Sequence, residues 1–209
     1  MALPNELYTP EEYLALERQA QYKSEYLNGR IYPLHPKIRS ITTPEEQAAH
    51  DTIATSLLHI ITSAVANKPY QVFGAETALW IEEVGFRTHT DVMVIASECQ
   101  LEHPNDHAIK NPLLILEIPT PASQAVNRGA KFVNYRKLTS LSEYILISID
   151  EVHVEQYRRH NTFWVLNDLN ELNDVIQLSS ISSEIALSDI YHNVQFPQHR
   201  PEDNPETET

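Results

Sequence analysis

The stretch over residues 112–149 constrains the fold more than any other part of the chain. It opens with Pro-Leu-Leu-Ile-Leu-Glu-Ile, nearly all apolar. Such a run marks a central strand covered on both faces. Pro119-Thr120-Pro121 ends it, since proline cannot donate to a sheet ladder. Residues 123–137 read as a helix and residues 143–149 as a second buried strand. Strand, helix and strand in this order should form a right-handed crossover with the two strands parallel. The rest of the chain must pack around that unit, which makes the fold class α/β, with helices against a mixed central sheet.

The flanking segments supply further elements. Residues 8–20 read as a first helix: Thr9 is a fitting N-cap, Pro10 suits the first helical position, and Glu12 completes a capping box. Residues 22–33 read as a hairpin turning at Asn28-Gly29, the strongest short hairpin signal. A loop over 36–43 leads to a long helix over 44–66, capped by Thr43 with Glu46 three residues on. Its apolar residues Ile53, Leu57, Ile61 and Val65 form a stripe that His50 begins. Strands are expected over 70–74, 77–81 and 90–96, then a polar loop over 101–111. After the second strand of the crossover, the chain reads as a β meander over 152–158, 162–165 and 174–178, with a short helix at 188–191. No internal repeat is visible.

Length fits one domain, residues 1–196, followed by a tail over 197–209. That tail holds Glu202, Asp203, Glu206 and Glu208 among few apolar groups, a composition that favours disorder. No apolar run approaches the roughly 18 residues of a membrane span, and no signal peptide is expected from Met-Ala-Leu-Pro-Asn-Glu. Cys99 is the one cysteine, which excludes an internal disulfide framework and fits a reducing, cytoplasmic setting. It lies between Glu98 and Glu102, which disfavours a reactive thiolate.

Chemistry concentrates in three residues. Asp91 opens an apolar run, Glu117 closes another, and Lys131 comes fourteen residues later on the next helix. A charge buried without a partner costs several kcal/mol, and two carboxylates brought together repel unless a cation lies between them. Oxygen ligands of this kind suit magnesium or manganese. Two acids and a lysine around a hard cation fit phosphodiester hydrolysis, with the lysine orienting water or stabilising developing charge. Glu25, in Ser-Glu-Tyr-Leu-Asn-Gly-Arg-Ile, is a candidate third carboxylate, and Gln124 a polar helper. Against this stands the ordinary reading of each: acids at strand ends and a lysine on a helix face are common in solvent. Arg128 and Tyr135 share the Lys131 face at i−3 and i+4. His50 reads as a satisfied core histidine. His103 and His107 have zinc-like i, i+4 spacing, but Pro104-Asn105 interrupts any helix between them. A dinucleotide fingerprint, a phosphate loop and a nucleophile elbow are all absent.

Net charge is −14, whereas proteins that grip duplex DNA usually present a basic surface. Contact with nucleic acid would therefore need a local basic patch or a short footprint.

At these residues the sequence resembles the Uma-type restriction endonucleases, a branch of the PD-(D/E)XK nuclease superfamily. The likeness runs from Leu7 to Arg158. It is carried by Tyr8-Thr9-Pro10-Glu11-Glu12-Tyr13-Leu14, by Glu25 with Tyr26-Leu27-Asn28-Gly29-Arg30-Ile31-Tyr32, and by His50. Thr90-Asp91-Val92, Leu116-Glu117-Ile118, Asn127-Arg128-x-x-Lys131 with Tyr135, and Ser142-Glu143-Tyr144-Ile145-Leu146-Ile147 complete it. The superfamily's usual lysine, two residues after the second acid, is Pro119 here, and Lys131 fits as its replacement from the following helix. Thr90 stands for the proline of Pro-Asp, and Asn127 for an aspartate. Thr120-Pro121-Ala122-Ser123 is a displaced form of the family's Ser-Pro-Ser/Thr.

The resemblance implies a restriction-endonuclease-like mixed central sheet flanked by helices, with a C-terminal β meander. It implies Mg2+- or Mn2+-dependent cleavage of nucleic acid, DNA in the first place. Asp91 and Glu117 would hold the metal, with Glu25 and Lys131 assisting, and a homodimer would supply the two sites that duplex cleavage needs. A different class stays open: a member of the fold that has lost catalysis and binds nucleic acid or protein. A third option is a hydrolase of small phosphate esters.

Overall fold

The computed structural model describes residues 6–34, 43–96, 98–102, 108–121 and 123–197. The crossover lies at its centre. Strand β7 (Pro112–Glu117) pairs in parallel with β8 (Glu143–Ile147), Leu114 opposite Glu143 and Glu117 opposite Leu146. The helix between them, α3, is α-helical over Gln124–Val126, π-helical over Asn127–Lys131 and α-helical again over Phe132–Tyr135.

Around this unit the elements are α1 (Pro10–Glu17), β1 (Ser24–Leu27), β2 (Arg30–Pro33), α2 (Pro44–Val65), β3 (Tyr70–Gly74), β4 (Ala78–Ile81), β5 (Phe86–His89) and β6 (Val92–Ala96). After β8 come β9 (Val154–His160), β10 (Phe163–Leu169), β11 (Val175–Leu178), β12 (Ser183–Ala186) and α4 (Leu187–Ile190). A six-stranded mixed sheet has the order β10-β9-β8-β7-β6-β3, and a smaller antiparallel sheet the order β2-β1-β5-β4.

The unbroken apolar strands arise because both faces of the large sheet are covered. Val92, Val94, Leu114, Leu116, Ile145 and Ile147 point into a core with Ile53, Leu57 and Ile61 of α2. The intervening Met93, Ile95, Ile115, Tyr144 and Leu146 point the other way, into a core with Tyr135 of α3 and with Leu79, Ile81 and Phe86 of the small sheet. A third cluster seats Tyr13 of α1 on Tyr26 and Trp80. The capping boxes at Thr9–Glu12 and Thr43–Glu46 both form. Asn28 and Gly29 turn the first hairpin at φ 47° and 87°, the left-handed geometry that its two-residue loop demands.

Several expectations need correction. The first helix ends at Glu17, short of residue 20. Phe86–His89 is a strand that pattern reading missed, because Arg-Thr-His carries no apolar alternation although Arg87 and Thr88 are buried. Thr90 and Asp91 therefore lie outside β6, in the link between β5 of the small sheet and β6 of the large one. The meander β8-β9-β10 stays within the large sheet, while β11 and β12 form a separate hairpin. That hairpin, with α4, closes the α2 side of the core through Ile176, Ile185 and Leu187. The loop over 36–43, except Thr43, the pair His103 and His107, and the tail beyond Pro197 lie outside the described residues. Among the described residues no helix is long and apolar enough to cross a membrane.

Candidate functional site

Five elements converge at one end of the large sheet. The chain passes from β5 to β6 through Thr90-Asp91, a sheet-to-sheet link that sets Asp91 beside the end of β7. There the Ile118 amide donates to Asp91 Oδ2 at 2.7 Å. Glu117 is the last residue of β7, and its side chain is buried, with 3% of the residue exposed. From α3, Lys131 Nζ donates to Glu117 Oε1 at 3.0 Å and to the His89 carbonyl at 3.3 Å. The same ammonium lies 3.6 Å from Oε1 of Glu25, on β1. Thr88 of the neighbouring β5 donates to that Glu25 oxygen at 2.5 Å. The structure thus brings together Asp91, Glu117, Lys131 and Glu25, from segments spread over more than a hundred residues.

Two further residues join them. Tyr135, fully buried, donates its hydroxyl to Glu117 Oε1 at 2.6 Å. His50, on the second turn of α2, places Nε2 3.3 Å from Asp91 Oδ1 and Nδ1 3.2 Å from Asp51 Oδ1. His50 is thus a neighbour of the acids rather than the inert core residue that its place on an apolar stripe suggested. The signal available in the sequence was its position as the first polar member of that stripe.

The π-helical turn explains why Lys131 and Tyr135 reach the same carboxylate while Arg128 does not. A π turn carries an extra residue, which rotates the helix on its N-terminal side relative to the helix on its C-terminal side. Arg128 is turned towards β9, where its guanidinium meets Glu155 Oε1 at 2.5 and 2.6 Å. The shared face expected for Arg128, Lys131 and Tyr135 is therefore broken. Asn127 is buried, its Oδ1 has no hydrogen-bond partner among the described residues, and its backbone carbonyl accepts from Tyr144. Gln124, at the start of α3, makes no side-chain hydrogen bond to the site residues.

Electrostatics reflect burial and this network of contacts. Burial pushes the Glu117 carboxyl up to about 7, helped by the charge of Asp91, while Lys131 and Tyr135 pull it back down. Asp91 is also penalised by burial, but the hydrogen bond and charge of His50, the Ile118 amide and Lys131 hold it below its ordinary value. Burial pulls His50 down, but Asp91 and Asp51 outweigh it, and its pKa rises. Burial works against the Lys131 ammonium, yet Glu117, Glu25 and Asp91 raise its pKa. The cluster is an anionic cleft whose central charge is met by one ammonium.

Can such a cleft hold a metal? Among the described residues no group of three or more His, Cys, Asp or Glu side chains is gathered as a metal cage. The donor chemistry nonetheless fits a small hard cation. Magnesium keeps several waters and is commonly bound through only one or two carboxylates. Lys131 and Tyr135 both donate to Oε1 of Glu117, and no donor among the described residues reaches Oε2.

Residues 10–188 match the family model Uma2, described as "Putative restriction endonuclease". The chain is similar to the uncharacterised protein sll1609 of Synechocystis sp. (strain ATCC 27184 / PCC 6803 / Kazusa), 30% identical over 83% of this chain and 93% of that one. It is also similar to slr1290, an uncharacterised protein of the same organism, 24% identical over 90% of this chain and 93% of that one. The match covers most of the chain and agrees with the fold: the chain belongs to the Uma2 family, within the restriction-endonuclease-like superfamily.

Proposed function

We infer that this protein is a metal-dependent nuclease that hydrolyses phosphodiester bonds of nucleic acid, DNA in the first place. One observation carries the reading. A half-buried lysine bridges two carboxylates beside a third, at the end of the central sheet in a restriction-endonuclease-like fold. The family match supports the nuclease class.

Asp91 and Glu117 would hold Mg2+ or Mn2+, and the ion would supply Lewis acidity towards a phosphoryl oxygen and a more acidic water. The protein's own groups do the rest. Tyr135 fixes Glu117 through one oxygen and leaves the other without a donor among the described residues. His50 and the Ile118 amide hold the two oxygens of Asp91. Lys131 lies within reach of any water or phosphate oxygen that enters between Glu117 and Glu25, where its charge would orient the one and stabilise the other. Glu25 steadies the lysine. A homodimer would present two such sites to a duplex, and the lone cysteine suits work in the cytoplasm.

A second reading has its own support: the missing three-ligand cage among the described residues, the acidic charge and Asn127 favour a member of the fold that binds without cutting. Calorimetry with MnCl2 and MgCl2 separates the two, together with incubation with plasmid DNA and with RNA. Divalent binding and cleavage by wild type, both lost in folded Asp91→Ala and Glu117→Ala, support the nuclease. Cleavage that persists in Asp91→Ala overturns it. Absence of both metal binding and cleavage in folded wild type, with DNA and RNA present, moves the conclusion to the binding module.

A further inference from the structure

We propose that the surface joining the C-terminal end of α3 to the tips of β9 and β10 holds the phosphate backbone of the nucleic acid beside the cleft. The proposal rests on the nucleic-acid reading above.

Charge segregation is the first support. Residues 118–142 contain no aspartate or glutamate, but they contain Arg128, Lys131, Arg136 and Lys137, in a chain of net charge −14. Compensation is the second. Arg128 is committed to Glu155, and Lys131 to the cleft. Arg136 is exposed and meets no carboxylate among the described residues; its guanidinium lies 5.3 Å from the centre of the Phe132 ring. Arg159 donates to the backbone carbonyls of Leu141, Leu138 and Arg136, at 2.7 to 3.1 Å, and stacks 4.6 Å above Trp164. Carbonyls satisfy its hydrogen bonds without cancelling its charge. Lys137 pairs with Glu83 at 2.9 Å, but both groups are about half exposed, and such a pair is worth little in water. A phosphate can take the place of Glu83.

Two guanidinium groups that meet no carboxylate among the described residues thus stack on one aromatic pair, Arg136 over Phe132 and Arg159 over Trp164, whose ring centres lie 5.3 Å apart. Position is the third support. Arg136 lies five residues beyond Lys131, about 7.5 Å along the helix axis. The same five residues turn the helix by about 140°, which carries Arg136 from the face of Lys131 to an exposed flank beside it, where a strand reaching the cleft would pass. In an acidic protein this is the short basic footprint that backbone contact requires.

The test is fluorescence anisotropy with a fluorescein-labelled mixed-sequence DNA duplex and its single strand, in EDTA so that nothing is cut. Full-length wild type is compared with Arg136→Glu/Lys137→Glu and with Arg18→Glu/Lys68→Glu, which changes net charge equally, Arg18 following α1 and Lys68 lying beyond α2 against the Ile181 and Ser182 carbonyls. Melting curves establish that each is folded. If the first pair does not fold, Arg136→Gln/Lys137→Gln replaces it. Expected is a loss of about ten-fold or more in the first variant, with the salt slope of log Kd reduced by about two, and near-wild-type affinity in the second. The arm that wild type prefers identifies the form of the strand. Unchanged affinity, equal loss in both variants, or no binding of either probe by wild type overturns the surface. Binding through this surface without metal-dependent cleavage keeps it and removes the nuclease reading; cleavage lost in Asp91→Ala with binding indifferent to Arg136 does the reverse.

Discussion

Glu117 is held by two donors on one oxygen, and each has a distinct cost of removal. Tyr135→Phe takes away a buried hydroxyl that donates at 2.6 Å. Losing a donor to a buried carboxylate costs about 1–3 kcal/mol, and for a chain of this size Tm falls by roughly 2–12 °C, measurable by calorimetry in EDTA. Titration gives a second prediction. The folded pKa of Glu117 is about 7, against an ordinary value of 4.5. Between those values the folded state binds more protons than the unfolded one, so stability falls as pH rises. His50, raised in the folded state above its ordinary 6.5, gives a stabilisation present below that pH and lost at higher pH, the same sign. Asp91, depressed, acts the other way, and only at acid pH below its ordinary value of 3.8. Metal-free wild type should therefore melt several degrees lower at about pH 8 than at about pH 5.5, and Glu117→Gln should flatten that slope. A slope equal in both proteins would assign it elsewhere.

Elements decide how these residues meet. Thr43 caps α2, accepting from the Glu46 amide at 3.1 Å while Glu46 accepts from the Thr43 amide at 2.8 Å. Thr43→Ala should cost about 1 kcal/mol, read as a lower urea midpoint with unchanged slope, and should loosen the turn that carries His50. The capping boxes, the Asn28-Gly29 hairpin and the crossover were all legible, because each rests on local chemistry or on an apolar period. Strand β5 was not. Its Thr88 is fully buried because its hydroxyl is spent on Glu25, a contact between residues 63 apart that no local pattern records. The π turn was hidden as well: Asn-Arg-Gly-Ala-Lys reads as ordinary helix, and what marks the turn is the swing of Arg128 to Glu155, a contact between residues 27 apart. Spacing alone suggested Asp91, Glu117, Lys131 and Glu25 as a site; their convergence needed the tertiary fold.

At the scale of the molecule, net charge sets the background. With 29 acidic and 15 basic side chains, self-repulsion works against the compact state. Salt screens it, with a Debye length falling from about 30 Å at 0.01 M to about 10 Å at 0.1 M. Metal-free Tm should rise over that range, and a fall would mean that the attractive pairs around the cleft outweigh the general repulsion. The order of the cleft's parts along the chain has another consequence. Glu25, His50, Asp91, Glu117 and Lys131 leave a ribosome in that sequence, yet β7 becomes an interior strand only after β8, at Glu143–Ile147, has been made. A growing chain carries all the acids before it has the strand that pairs with β7 on its β8 side. Every residue of the cleft is therefore made before the strand that closes the β8 side of Glu117.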